Sequence, residues 1–192
     1  MSEKFKVSRT PVREALNLLL KENYVRQSPG RGFRVSEISL KNVSDMYEVR
    51  KVLEVAALKE AANLDVTEHV ETIGKLLNHH KKIIMNFRPQ GKFLEDAEFH
   101  KALIMMSGNR YLQEILESVF DRITMLRNIE GVSQERVKVA LDQHLKIFGL
   151  FKKGRFLEAE EMLSKHIQDS KDDIINRAKS RLENTYFQQY GH

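Results

Sequence analysis

The stretch Phe93-Leu94-Glu95-Asp96-Ala97-Glu98-Phe99-His100-Lys101-Ala102-Leu103-Ile104 sets a polar pair into an apolar helical face. At about 100° per residue, Asp96 and His100 stand one turn apart, on the side that also carries Phe93, Ala97, Leu103 and Ile104. An ionised carboxylate on a core-facing stripe is costly unless it is paired or bound to a metal. The segment therefore reads as a bundle helix that buries a chemical site.

Two further histidines follow the same pattern. His144 shares a face with Val137, Leu141, Phe148 and Phe151, and His166 shares one with Ala159, Leu163, Ile167 and Ile174. A single inward histidine is more often a hydrogen-bonded core residue than a ligand. Three of them with an aspartate in one bundle favour a metal, and the Asp96/His100 spacing of i, i+4 fits a shared ion. Neutral imidazoles with one carboxylate suit zinc first, then nickel, manganese or iron(II), rather than calcium or magnesium. His69, His79, His80 and His192 lie among polar residues or at the chain end and are expected to be solvated.

Outward from this segment, helical periodicity runs from about residue 40 onward. Helices are expected near 40–63, 66–87, 90–106, 109–128, 134–152 and 155–182, with residues 183–192 as a tail. The breaks fall at Asn63, Pro89-Gln90-Gly91, Gly108-Asn109, Gly131 and Gly154, residue types that end or separate helices. Six helices with short loops predict an all-α antiparallel bundle over 38–182.

Residues 1–37 are different in kind. Eight Lys/Arg against four glutamates give this short head +4 of the chain's formal +5. Val12, Ala15, Leu16 and Leu19 form one apolar stripe, with Thr10, Arg13 and Asn17 opposite and Arg9 at the boundary. Ser8 or Thr10 can cap this helix, and Pro11 is tolerated in a first turn. Tyr24–Gln27 and Phe33–Val35 flank a Ser28-Pro29-Gly30-Arg31-Gly32 tip, a hairpin signature. An Arg/Thr/Asn face suits major-groove reading, since arginine donates two bonds to guanine. Charge alone equally permits a solubilising terminus.

No apolar run approaches a bilayer span, the first residues lack a secretion-signal core, and the absence of cysteine excludes disulfides. A cytoplasmic protein with no membrane partner is expected.

Ser8-Arg9-Thr10-Pro11-Val12-Arg13-Glu14-Ala15-Leu16, followed by Tyr24-Val25 and Ser28-Pro29-Gly30-Arg31-Gly32, resembles the winged helix-turn-helix of the GntR family of bacterial regulators. The resemblance implies that Arg9, Thr10, Arg13, Gly30, Arg31 and Gly32 touch operator DNA. Met1 falls within what is the second helix of that family. A head of 37 residues is too small for a normal winged-helix core, so it is expected to be loosely ordered or to lean on the bundle, and to bind DNA weakly or not at all by itself.

Asp96-Ala97-Glu98-Phe99-His100, the Gly108-Asn109 break, and the His144-to-His166 spacing around Gly154 and Ala159 resemble the FCD effector domain that often follows such a head. That resemblance, over about 40–182, implies that Asp96, His100, His144 and His166 ligate one divalent metal with open positions facing a ligand cavity. Acyl-CoA-binding relatives lack the full set. Tyr47–Glu54 resembles the first helix of the domain, and Arg50 lies on its inward stripe with Met46 and Leu53. Arg50 either receives a ligand carboxylate or pairs internally with an acid such as Glu54; Arg122 and Arg127 are weaker candidates of the same kind.

The function expected is a homodimeric, ligand-responsive transcription regulator whose effector, a small organic acid, joins the metal and Arg50. A dimerisation module with a purely structural metal ranks second. A metal-dependent hydrolase ranks third, because its only available base, Glu98, lies on a different helix face from Asp96 and His100.

Overall fold

The computed structural model describes residues 6–21, 24–30, 32–36, 39–85 and 94–190. The chain divides into two compact units, Met1–Ser39 and Leu40–His192. In the first, helix α1 (Arg9–Lys21) precedes strands β1 (Val25–Ser28) and β2 (Gly32–Val35). The strands pair antiparallel, with Val25 opposite Val35 and Ser28 opposite Gly32. Gly30 and Gly32 hold φ of 70° and 74°, which a residue with a Cβ adopts only under strain, and so they close the hairpin. None of the α1 residues is buried, although Val25 on β1 is.

The second unit comprises α2 (Leu40–Ala61), α3 (Thr67–Met85), α4 (Leu94–Met105), α5 (Arg110–Glu130), α6 (Gln134–Lys152) and α7 (Phe156–Tyr190). This is the six-helix bundle expected from periodicity. Helix α2 packs along α7, α6 along α7, and α4 along α5, while α3 lies against α4 and α6. Tyr47, Leu58, Ile73, Phe99, Leu163 and Ile167 sit in one buried core, each about 1% exposed or less. The Pro89-Gln90-Gly91 break lies outside the described residues.

Local signals set the helix ends. Asn109 caps α5, its side chain accepting from the backbone N–H of Tyr111 and Leu112, and Ser133 caps α6 by accepting from Arg136 N–H. Helix α7 runs to Tyr190, beyond the end expected near 182. Nothing between Phe156 and Tyr190 is a proline or glycine, so no backbone signal stops it there. No described helix is long and apolar enough to cross a membrane.

Candidate metal centre

Three helices deliver four side chains to one point. Helix α4 supplies Asp96 and His100, α6 supplies His144 and α7 supplies His166, and one ligand atom from each lies within 4.8 Å of the others. His100 and His166 are fully buried, His144 is 3% exposed, and the Asp96 side chain is 12% exposed. His100 Nε2 lies 3.0 Å from His166 Nε2, which lies 3.2 Å from His144 Nε2. Asp96 Oδ1 stands 3.5 Å from His144 Nε2 and 3.8 Å from His166 Nε2. Phe99 stacks on the His144 ring, with centroids 4.0 Å apart, and walls the site on that side.

The outer nitrogens of two imidazoles are fixed by partners the sequence did not reveal. His100 Nδ1 meets Glu54 Oε2 at 2.5 Å, and a carboxylate at this site only accepts, so the hydrogen sits on Nδ1. His166 Nδ1 meets Gln143 Oε1 at 2.8 Å. The amide orientation is set by Gln143 Nε2, which donates to Asp169 Oδ2 at 2.7 Å, and by Arg136 Nη1, which donates to the same Oε1 at 3.3 Å. With their outer nitrogens engaged, His100 and His166 turn their Nε2 atoms toward each other at 3.0 Å. Two imidazole nitrogens at that distance share either a proton or a metal cation between them.

The donor set passes a simple fit test. Two nitrogens each 2.0–2.1 Å from one ion are roughly 2.9–3.4 Å apart at octahedral or tetrahedral angles, and the two closest Nε2 pairs fall in that range. Imidazole nitrogen with one carboxylate is also a transition-metal rather than a calcium donor set.

The surrounding charges favour the ligating states. Burial works against ionisation of Asp96, but Arg127, His100 and Arg50 outweigh it and hold its carboxyl well below the usual range. Burial, reinforced by His100, pushes His144 well below the usual histidine value; burial with His144 and His100 does the same to His166. Burial likewise opposes the charge of Glu54, yet Arg50 and His100 keep its pKa below that of a free glutamate.

Arg50 makes the internal pair, and two of its nitrogens carry no hydrogen bond. Its Nε donates to Glu54 Oε1 at 2.5 Å, the internal pair. Its Nη1 and Nη2 are buried and have no hydrogen-bond partner. Nη2 pairs with Asp96 Oδ2 at 3.8 Å, which brings this edge of the guanidinium to the centre. Arg127 Nη1 donates to Asp96 Oδ2 at 2.6 Å, while Arg122 on the same helix is only partly buried.

His80 corrects the sequence reading. Expected to be solvated, it is 1% exposed, and its Nε2 pairs with Glu98 Oε2 at 3.1 Å. Its neighbours in sequence are polar, but Ile73, Leu77, His80 and Ile84 form a buried stripe at helical spacing, the signal that could have placed it. His79 is exposed and His69 intermediate, while His192 lies outside the described residues. In the head, Arg9, Thr10 and Arg13 are exposed on α1, Gly30 and Gly32 flank the hairpin tip, and Arg31 lies outside the described residues.

Comparison with known proteins places this geometry in context. Residues 45–169 match the FCD domain family, and residues 1–35 match the bacterial regulatory proteins of the gntR family. The HTH-type transcriptional regulator YdhC of Bacillus subtilis (strain 168) is 27% identical over 96% of this chain and 83% of its own length. A crystal structure of a GntR transcriptional regulator from Rhodococcus sp. RHA1 superposes with a TM-score of 0.74 at 20% identity, covering 91% of this chain and 84% of that one. The metal-free FCD domain of the transcriptional regulator TM0439 shares the fold, with a TM-score of 0.57 at 18% identity, over 76% of this chain and 99% of that one.

Proposed function

The chain belongs to the FCD-domain family of GntR-type transcriptional regulators, and on that premise we propose that its bundle senses a small organic acid through a divalent metal. Families and relatives of this kind are regulators rather than enzymes. The reading is carried by one observation: Asp96, His100, His144 and His166 bring one ligand atom each within 4.8 Å of the others, with the outer nitrogens of His100 and His166 already engaged. Asp96, His100, His144 and His166 would hold the ion, with zinc first among the candidates. A bound divalent ion supplies Lewis-acid attraction for an acid's oxygen.

The chain's own residues do the rest. Arg50 offers its buried Nη1 and Nη2, neither of which has a hydrogen bond, a geometry that receives a carboxylate with two bonds. Phe99 excludes water along the His144 face. The head would read operator DNA through Arg9, Thr10, Arg13 and the Gly30–Gly32 wing, in a cytoplasmic homodimer that matches two half-sites. An effector changes DNA affinity only as far as it binds the two arrangements of the protein unequally.

A purely structural metal is the second reading, favoured by the near-complete burial of the imidazoles. The Arg50 Nη1 and Nη2 atoms, buried without a hydrogen bond, speak for a further occupant. Elemental analysis with native mass spectrometry of the purified chain tests the proposal. One transition-metal ion per chain, lost in the His166→Ala variant, is expected. A metal-free protein that takes up no zinc on titration would overturn it.

A further inference from the structure

Glu54 is hydrogen-bonded both to a proposed metal ligand and to the proposed anion receptor. Oε1 accepts from Arg50 Nε and Oε2 accepts from His100 Nδ1, both at 2.5 Å. Its side chain is fully buried, so neither contact is shared with water. We infer that Glu54 couples the two occupants of the site, so that an anion at Arg50 and a metal at His100 bind with positive cooperativity.

The coupling follows from how one carboxylate divides its negative charge. An ion on His100 Nε2 makes Nδ1–H a stronger donor and draws Glu54 toward the imidazole. Arg50 is then less well neutralised and attracts an anion more strongly. In the other direction, an anion on Nη1 and Nη2 relieves Glu54 of part of the arginine charge, and Oε2 becomes a better acceptor for His100. Reciprocity requires both effects to be equal in binding free energy. The buried charges point the same way. Arg50 and Arg127 already offset Glu54 and Asp96, so a divalent ion adds an excess of two positive charges that an anion would compensate.

Glutamine cannot replace this glutamate. With its oxygen on Arg50, its amide would face His100 Nδ1 as a donor and force the hydrogen onto Nε2, the atom needed for the metal. With the amide reversed, N–H would face N–H at Arg50.

The inference rests on the metal-sensing proposal, and the test separates the two. Zinc affinity is measured by competition with a chromophoric chelator, with and without malonate as a probe anion, correcting for zinc held by free malonate. In the wild-type chain malonate is expected to tighten zinc binding at least ~5-fold. In Glu54→Gln, zinc binding is expected to weaken ~10–100-fold, and the malonate effect to fall within about 2-fold of none. An unchanged malonate effect in Glu54→Gln would overturn the role of Glu54 while leaving metal binding intact. No zinc binding by the wild type would overturn the metal proposal itself. Should Glu54→Gln not fold, long-range nitrogen NMR of the wild-type, metal-free chain decides. His100 is expected in the Nδ1–H form with an Nδ1 signal that moves on adding malonate; an Nε2–H tautomer or a stationary signal overturns the inference.

Discussion

Asp96 Oδ2 accepts a hydrogen bond from Arg127 Nη1 at 2.6 Å, while Oδ1 faces the imidazoles of His144 and His166 at 3.5 and 3.8 Å. One oxygen is thus tied to helix α5 and the other is left for the centre. The division explains how a carboxylate on a core-facing stripe survives without an ion: burial opposes its charge and Arg127 outweighs burial.

Removing that carboxylate should cost stability even without metal. Asp96→Ala leaves Arg127, 9% exposed, as an unpaired charge, and breaking one side of a buried pair costs about 3–5 kcal/mol. Urea unfolding in chelator should show this loss. The double variant Asp96→Ala/Arg127→Met should recover a large part of it, because no lone charge remains buried. A double variant no more stable than Asp96→Ala would contradict the assignment.

Acid should weaken the metal-free bundle before any carboxylate titrates. Folded His144 and His166 have pKa values pushed well below 6.5, chiefly by burial, whereas the unfolded chain takes up protons near 6.5. Below that pH the unfolded state binds more protons, so the stability present above 6.5 is lost as pH falls. For two histidines the loss from pH 7 to 5.5 is on the order of 2 kcal/mol. Asp96 and Glu54, also depressed, add their losses only at lower pH. Denaturant midpoints in chelator at the two pH values measure it, and a flat profile would show that the imidazoles are not held neutral.

The inward stripes bearing Asp96, His100, His144 and His166 were legible because helical burial is periodic, and each residue sits among apolar neighbours at the right spacing. Their outer partners were not. Glu54 lies 46 residues from His100, and Gln143 lies 23 residues from His166, so only the packing of α2 on α4 and of α6 on α7 brings them together. His80 was misread because polar sequence neighbours were weighed above its spacing to Ile73, Leu77 and Ile84. The end of α7 was placed short because residues 183–192 were read as a tail, although neither proline nor glycine stops the helix before Tyr190.

Asn109 offers a test of the fold remote from the centre's chemistry. Its side chain accepts from the N–H groups of Tyr111 and Leu112 at 3.1 and 3.2 Å, satisfying two donors at the start of α5. Asn109→Ala should lower stability by about 1 kcal/mol. Zinc affinity, measured by chelator competition, should stay within about 2-fold of wild type, since 1 kcal/mol of folding free energy is not drawn from the bound state. A larger change in affinity would mean that the α4–α5 junction is coupled to the site.

The head's proposed role is tested best through Arg13. It stands exposed on α1 with Thr10 and Asn17, opposite the Val12/Leu16 face, where a guanidinium can donate two bonds to one guanine. Sequences enriched from a random DNA library by the wild-type chain provide the substrate, and fluorescence anisotropy provides the affinity. Arg13→Ala should weaken binding to the enriched sequence by about 1–3 kcal/mol and relax preference at one base position. Its affinity for unrelated DNA should change much less than that. Arg26→Ala, on β1 outside the proposed contact set, should leave base preference unchanged. A uniform loss for Arg13→Ala on all sequences would make it a phosphate contact, and the reading of α1 as the base-reading helix would then fail at this position.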